Sequence, residues 1–504
     1  MKVNRRPSYF AFVALLAALL ANAAARAADD PLTAATKLFD KRRYEQAARL
    51  LEAALPRIEA AERAQAQLVL GAVYLRNADL HAAFARTAAV AELEYLERLT
   101  KVSAGVGAEG RSRYAQLYLA EAQLSGGNAA EAARHFEQAR TDFTGAARDQ
   151  SLAAVGLGNV LWVSKENNRA RSLWGGITSA PDAVLARTAA EARAGVTDAK
   201  SLLRTADAAA TTRDLSPRAR RYLVEIYLAA DAPEQALGIV RAADWSAASQ
   251  VETFKVAKGT AKTIHFYDLA LFTDLTQLYR QLARQHLEAA AADTRMKPAA
   301  VFYLAELNTA LGRYDEAGRN INAFLAEPQL PAPHRERARA QQAALLYRQG
   351  KHVEAEGIWA AMAGQQTVDP DVSAEVVGSC IRAGAACTKA VASLTLVAEA
   401  GDAKRLRRLN AALGSYYLGK KDYARAVAYL EAGRDKSNKN KIEVNDPQML
   451  VDLAEAYYRS KKFSEGLEIF FEMSKEFPVV RQIQEAMQGV YSVEQRSAGD
   501  VKIF

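Results

Sequence analysis

The sequence predicts an all-α fold, an α-solenoid of stacked helix hairpins, on three observations. Alanine and leucine are frequent while 504 residues hold only 28 Gly and 13 Pro, a balance that favours helix over strand. Apolar residues recur at helical spacing in short paired runs, none of which can bury its own stripe alone. One layout, a small residue where two helices cross and large ones around it, returns along most of the chain.

In chain order, the first element reads as an export signal. MKVNRRPSYF carries Lys2, Arg5 and Arg6, AFVALLAALLANAAA is apolar, and Ala25 and Ala27 offer small residues for cleavage after Ala27. A retained membrane anchor is the alternative, although the apolar run is short for a full span. No cysteine stands at the junction, which argues against a lipoprotein. Loss of residues 1–27 leaves 62 basic against 58 acidic side chains, a charge of +4 over 477 residues rather than +8. So weak a balance argues against a nucleic-acid partner.

The hairpins follow. KLFDKRRYEQAARLLEAALP presents Tyr44, Ala47, Leu51 and Ala54, and LVLGAVYLRNADLHAAFARTA presents Gly71, Tyr74, Leu80 and Ala83. YLAEAQLSGGNAAEAARHFEQA gives Leu119, Ala120, Gly127, Ala132, Phe136 and Ala139 in matching places. Weaker units centre on Ala170, Ala236 and Ala355. YLAELNTALGRYDEAGRNINAFL repeats the layout with Gly312, Tyr314, Ala317 and Ile321, and ALGSYYLGKKDYARAVAYLEAG with Gly414, Tyr423, Ala426 and Leu430. In LVDLAEAYYRSKKFSEGLEIFFEMSKEFP, Leu453, Ala454 and Tyr457 face Phe463, Gly466, Phe470 and Met473, and Pro478 ends the unit.

This layout resembles the tetratricopeptide repeat, here as an exported bacterial solenoid of that family. Ala132 to Ala170 and Ala317 to Ala355 are 38 residues apart, and Ala426 to Gly466 is 40, near the family period of about 34. The gaps from Ala170 to Ala236, Ala236 to Ala317 and Ala355 to Ala426 each leave room for one further hairpin with a worn motif. The chain then divides into a signal peptide (1–27), N-terminal repeats (28–245), an irregular insert with a long helix (246–296), C-terminal repeats (297–478) and a solvated capping helix and tail (479–504). Two polar stretches, 248–263 and 433–446, read as solvated loops, with a protruding contact loop as the functional alternative.

Few residues suggest chemistry. His81, His135, His265, His286, His334 and His352 are scattered, with no pair at the i, i+4 metal spacing. No phosphate loop and no G-x-S-x-G elbow is present. No catalytic residue, metal ligand or cofactor is therefore assigned, and the chain is expected not to be an enzyme. Cys380 and Cys387 flank Ala383-Gly384-Ala385, a plausible turn, and export to an oxidising compartment would let them form a disulfide across it. The alternative is two buried thiols.

One pattern stands out. YLAE at 118–121, YLVE at 222–225 and YLAE at 303–306 occupy the same places in three first helices. Tyrosine and glutamate three apart share one helical face. The resemblance places that face in a concave groove, so Tyr118, Glu121, Tyr222, Glu225, Tyr303 and Glu306 are the candidate binding residues. Packing against the next repeat is the alternative reading for each tyrosine, and solvation for each glutamate.

The resemblance implies a non-enzymatic scaffold that binds a protein partner of the cell envelope, in assembly of secretion, outer-membrane or exopolysaccharide machinery. A glycan-binding solenoid, on peptidoglycan or exported polysaccharide, is the alternative. The expected location is periplasmic or secreted, with no stable membrane span after cleavage.

Overall fold

The computed structural model describes residues 30–104, 112–212, 215–245, 247–255, 261–328, 330–364, 369–435 and 445–498. The signal segment 1–27 and most of the 433–446 stretch lie outside them. The chain forms two compact units, one joining Met1–Leu80 to Leu282–Glu472, the other joining His81–Gln281 to Met473–Phe504.

The fold is all-α in its repeats, antiparallel helix hairpins packed on their neighbours. The first unit holds the hairpins Pro31–Asp40 with Tyr44–Ala54, Lys297–Ala310 with Tyr314–Leu325, and Ala332–Arg348 with His352–Ala363. Pro370–Ala383 with Thr388–Ala400, Arg407–Gly419 with Tyr423–Gly433, and Pro447–Arg459 with Phe463–Ser474 continue it. The second unit holds Arg113–Ser125 with Ala129–Asp142, Ala147–Val163 with Asn167–Gly175, Pro181–Arg193 with Ala199–Ala210, and Pro217–Ala229 with Pro233–Ala242.

Local chemistry sets these elements. Asp30, Ser112, Asp198, Ser216, Asp369 and Asp446 cap helix starts with their side chains, satisfying backbone N–H groups that have no intrahelical partner. Ala47, Ala132, Ala170, Ala236, Ala317, Ala355, Ala426 and Gly466, the small residues read as helix crossings, are all buried. A Cβ on Gly466 would stand 3.0 Å from the Ala454 carbonyl oxygen, and one on Gly414 would stand 2.5 Å from Leu430 Cγ. Those two positions need glycine because the helices touch there.

Three expectations are corrected. The segment 68–88 is no hairpin but part of one continuous helix, Ala60–Ala104. Several other hairpins turn through a residue of positive φ, such as Arg42, Gly127, Gly312 or Lys461, whereas Arg76–Asp79 stay helical. The reason is burial nearly all round, since Leu68 to Leu75 are buried without a break and leave no polar side at which to turn.

The described part of the stretch 248–263 is not a solvated loop, and residues 256–260 lie outside the described residues. Gln250–Lys255 and Ala261–Phe266 pair as an antiparallel β-hairpin with Glu252 opposite Ile264. Glu252, Ile264 and Phe266 are buried, while Val251, Thr253 and His265 are exposed, the alternation of a strand with one face covered. Together with the helix Leu271–Ala291 this hairpin fills the gap where another helix pair was expected.

The C-terminal helix Arg481–Ala498 is not merely a solvated cap. Ile483, Met487 and Val490 are buried within the second unit, and Gly489 packs against the Tyr95 ring.

Candidate functional site

Two of the three helices that carry the recurring tyrosines and glutamates start on a side-chain cap. In the second unit, Arg113–Ser125 carries Tyr118 and Glu121, and Pro217–Ala229 carries Tyr222 and Glu225. Ser216 caps the latter helix and Pro217 occupies its first turn, which brings Arg218 and Arg221 onto the face of Tyr222 and Glu225.

Arg218 lies with its guanidinium 4.8 Å from the Tyr118 ring centre and donates to both carboxylate oxygens of Glu121. Its Nε donates to Tyr222 Oη at 3.1 Å and stands 3.8 Å from Asp268 Oδ2. Arg221 lies 4.7 Å from the Tyr222 ring centre and donates from Nε to Asp268 Oδ2 at 2.7 Å. Its Nη1 donates to Asp274 Oδ2 at 3.1 Å and to Glu225. Arg193 reaches Glu225 from outside.

The Tyr118 ring also stacks on Phe266 at 5.1 Å, so the β-hairpin packs against the arrangement. That hairpin is pinned by Glu252, which accepts from Ser112 Oγ at 2.5 Å and from the Arg113 backbone N–H at 3.1 Å. A carboxylate thus meets the positive end of the helix Arg113–Ser125.

The first unit repeats the theme with a distant arginine. Arg76 lies 5.9 Å from the Tyr303 ring centre, donates to Glu306 Oε2 at 2.6 Å and to Asp79 Oδ2 at 2.9 Å. Gln341 Nε2 donates to the second Glu306 oxygen at 2.7 Å.

Electrostatics follow from burial. Burial acts to lower the Arg218 and Arg221 pKa values, yet the carboxylates around them hold both well above the ordinary range. Both guanidiniums stay charged. Burial pushes the Asp274 carboxyl well up, helped by the nearby Glu225, against the pull of Arg221. Burial also pushes up the Glu92 carboxyl, helped by Asp268 and Glu121.

The six candidates are thus found in equivalent settings, but not on an open aromatic wall. Tyr118, Tyr222 and Tyr303 are only 2%, 5% and 7% exposed, and each glutamate beside them accepts from an arginine of the chain itself. An aromatic face next to a carboxylate is a good guanidinium site, and intramolecular arginines fill it. The sequence reading missed these arginines. Arg218 and Arg221 were findable, since Arg221 is four residues before Glu225. Arg76 was not, because it lies 230 residues from Glu306.

Cys380 and Cys387 are joined by a disulfide with Cα atoms 6.1 Å apart. It links the end of Pro370–Ala383 to the start of Thr388–Ala400, across a turn in which Gly384 takes a φ of 71°. Among the described residues no three His, Cys, Asp or Glu side chains converge to hold a metal ion. No described helix is long and apolar enough to cross a membrane.

No protein-family model and no curated protein matches the chain. Solved structures similar to it are helical-repeat proteins. Yeast Tom70 is 14% identical, with 93% of this chain and 96% of that chain covered at a TM-score of 0.30. The APC/C hetero-tetramer Cut9–Hcn1 is 13% identical over 96% and 99%, with a TM-score of 0.26. The P58(IPK) TPR domain is 15% identical over 76% and 99%, with a TM-score of 0.20. At these values the fold assignment rests on the hairpins themselves, their small buried crossing residues and their turns.

Proposed function

We propose that the chain is an exported, non-enzymatic scaffold that holds a protein partner of the cell envelope, in assembly of secretion, outer-membrane or exopolysaccharide machinery. The observation that carries this reading is the repetition of helix hairpins, an architecture whose stacked helices make extended binding surface. The disulfide Cys380–Cys387 supports export, because such bonds persist in oxidising compartments. The internally satisfied Tyr–Arg–Glu settings move the expected contact away from the tyrosine rings and onto the exposed outer edges of the same helices.

The test is cross-linking in intact cells of the native producer, followed by denaturing purification of the chain. A mature chain beginning near Ala28 and joined to a discrete envelope protein is expected. Recovery with peptidoglycan or exported polysaccharide alone would move the reading to glycan binding. Intact Met1 in a membrane fraction would overturn cleavage and soluble export.

A further inference from the structure

The second unit carries a pocket of about 170 Å³, partly open to solvent at Thr263, His265 and Glu485, between the helix Ala60–Ala104, the strand Ala261–Phe266 and the C-terminal helix Arg481–Ala498. That is room for roughly five waters or one small organic ion. Tyr95, Tyr118 and Tyr267 give it aromatic walls, and Glu92, Glu485 and Gln482 give it acceptors. None of its lining residues is a lysine or an arginine.

The polar groups here are incompletely satisfied. Tyr118 and Gln482 are both more than nine-tenths buried. Neither Tyr118 Oη nor Gln482 Oε1 has a hydrogen-bond partner among the described residues. Gln482 is fixed from its other end, since Nε2 donates to the Trp245 carbonyl. Glu485 accepts from the Tyr267 hydroxyl. Buried polar atoms without partners are uncommon, and an unfilled ligand position is one cause.

Arg218 and Arg221 act on Glu92 through space, but neither lines the pocket. Arg218 and Arg221 are already engaged by Glu121, Asp268, Asp274 and Glu225, so carboxylates outnumber buried guanidiniums before Glu92 is counted. What the lining offers is acceptors beside aromatic rings, with no ammonium or guanidinium of its own. That combination selects a cation with several N–H donors over an anion or a neutral apolar ligand.

We propose that this cavity binds a small organic cation with a primary ammonium head, held by Glu92, Tyr118 Oη and Gln482 Oε1 with its methylene chain among the aromatic walls. The cation is either a free alkylamine or the end of a lysine side chain from a partner segment. The proposal stands on the cavity and does not depend on the scaffold reading.

The test uses the full mature chain and calorimetric titration with n-butylammonium, with n-butanol as the neutral isostere. Butylammonium is expected to bind and butanol not. Glu92→Gln is expected to weaken the cation by about tenfold or more, the worth of one charge-assisted hydrogen bond. The same substitution is expected to raise the unfolding midpoint of the unliganded chain, because it removes a carboxyl whose ionised form burial disfavours. Loss of binding with a gain in stability separates a ligand contact from a merely structural role. Tyr118→Phe, which keeps the ring stack, is expected to weaken butylammonium several-fold with an unchanged midpoint.

A second arm separates the sources. A short acetylated, amidated peptide with one central lysine is compared with its norleucine counterpart. Binding of the lysine peptide as tightly as butylammonium assigns the site to a partner's side chain, and exclusion of the peptide assigns it to a free amine. Equal binding of butylammonium and butanol, or undiminished binding by Glu92→Gln, would overturn the proposal and leave the cavity to ordered water.

Discussion

Tyr118 and Tyr222 carry the same motif but different work. Tyr222 Oη accepts from Arg218, whereas Tyr118 Oη has no partner among the described residues. Tyr222→Phe is therefore expected to lower stability by about 1–2 kcal/mol, the loss of a bond to a charged donor. Tyr118→Phe is expected to be nearly neutral in denaturant unfolding, and equal losses in the two variants would contradict the assignment. Asp40 supplies a pH-dependent case. It ends the helix Pro31–Asp40, where the backbone carbonyls point at it, and its Oδ1 is buried without a partner. Burial raises its pKa to about 6 from the ordinary 3.8. Well below pH 3.8 it is protonated folded and unfolded, and no stability is lost. As pH rises from 3.8 to 6 the unfolded carboxyl ionises while the folded one, poorly solvated, resists, and stability falls until the folded group ionises as well. Asp40→Asn should then stabilise by on the order of 1 kcal/mol at pH 7.5, after solvent screening, and by much less near pH 3. At this scale the sequence was legible where pairing is local. Tyr222, Arg221 and Glu225 lie within one turn of helix, while the partner of Glu306 comes from a helix far away in sequence.

Helix hairpins were readable because their cues are local: a cap, an apolar stripe, a small crossing residue and a turn. The continuous helix Ala60–Ala104 was misread because its turn-like RNAD stretch is overridden by burial on nearly all sides, a tertiary fact. The β-hairpin was misread for a related reason. QVETFK and AKTIHF alternate polar and apolar residues weakly, and the covered face includes a glutamate. Glu252 makes sense only with the helix it caps. It accepts from Ser112 Oγ, Arg113 N and Tyr114 N, so it holds both the strand and the helix start. Glu252→Gln retains the shape and removes the charge facing the helix N-terminus. It should cost about 1–2 kcal/mol and raise amide exchange at residues 112–115 and along 250–255 together. Unchanged protection at residues 112–115 would show that the carboxylate does not hold this helix start.

In a strictly one-dimensional repeat array each unit contacts only its neighbours, and the chain end frays first. Here the end of the chain does not simply follow its predecessor. Residues 473–498 belong to the compact unit of His81–Gln281, while the hairpins from Lys297 to Glu472 belong to the other unit. Within that second unit Phe477 packs on Phe84 with ring centres 5.8 Å apart, and Ile483, Met487 and Val490 are buried. Side chains of this kind contribute about 1.5–3 kcal/mol each when fully buried. Repeat periodicity could not reveal this closure, because it records sequence neighbours and carries no signal for a return across several hundred residues. Ending the chain at Ser474 therefore gives a discriminating experiment. The hairpins from Lys297 to Gly433 should keep their hydrogen-exchange protection, while residues 84–96 and the strands 250–255 and 261–266 should lose much of theirs. A simple solenoid predicts the reverse pattern, with fraying confined to the hairpin Pro447–Ser474 and the 84–96 segment untouched. Observing that reverse pattern would mean that the C-terminal helix is a dispensable cap and that the second unit is held together by its own hairpins.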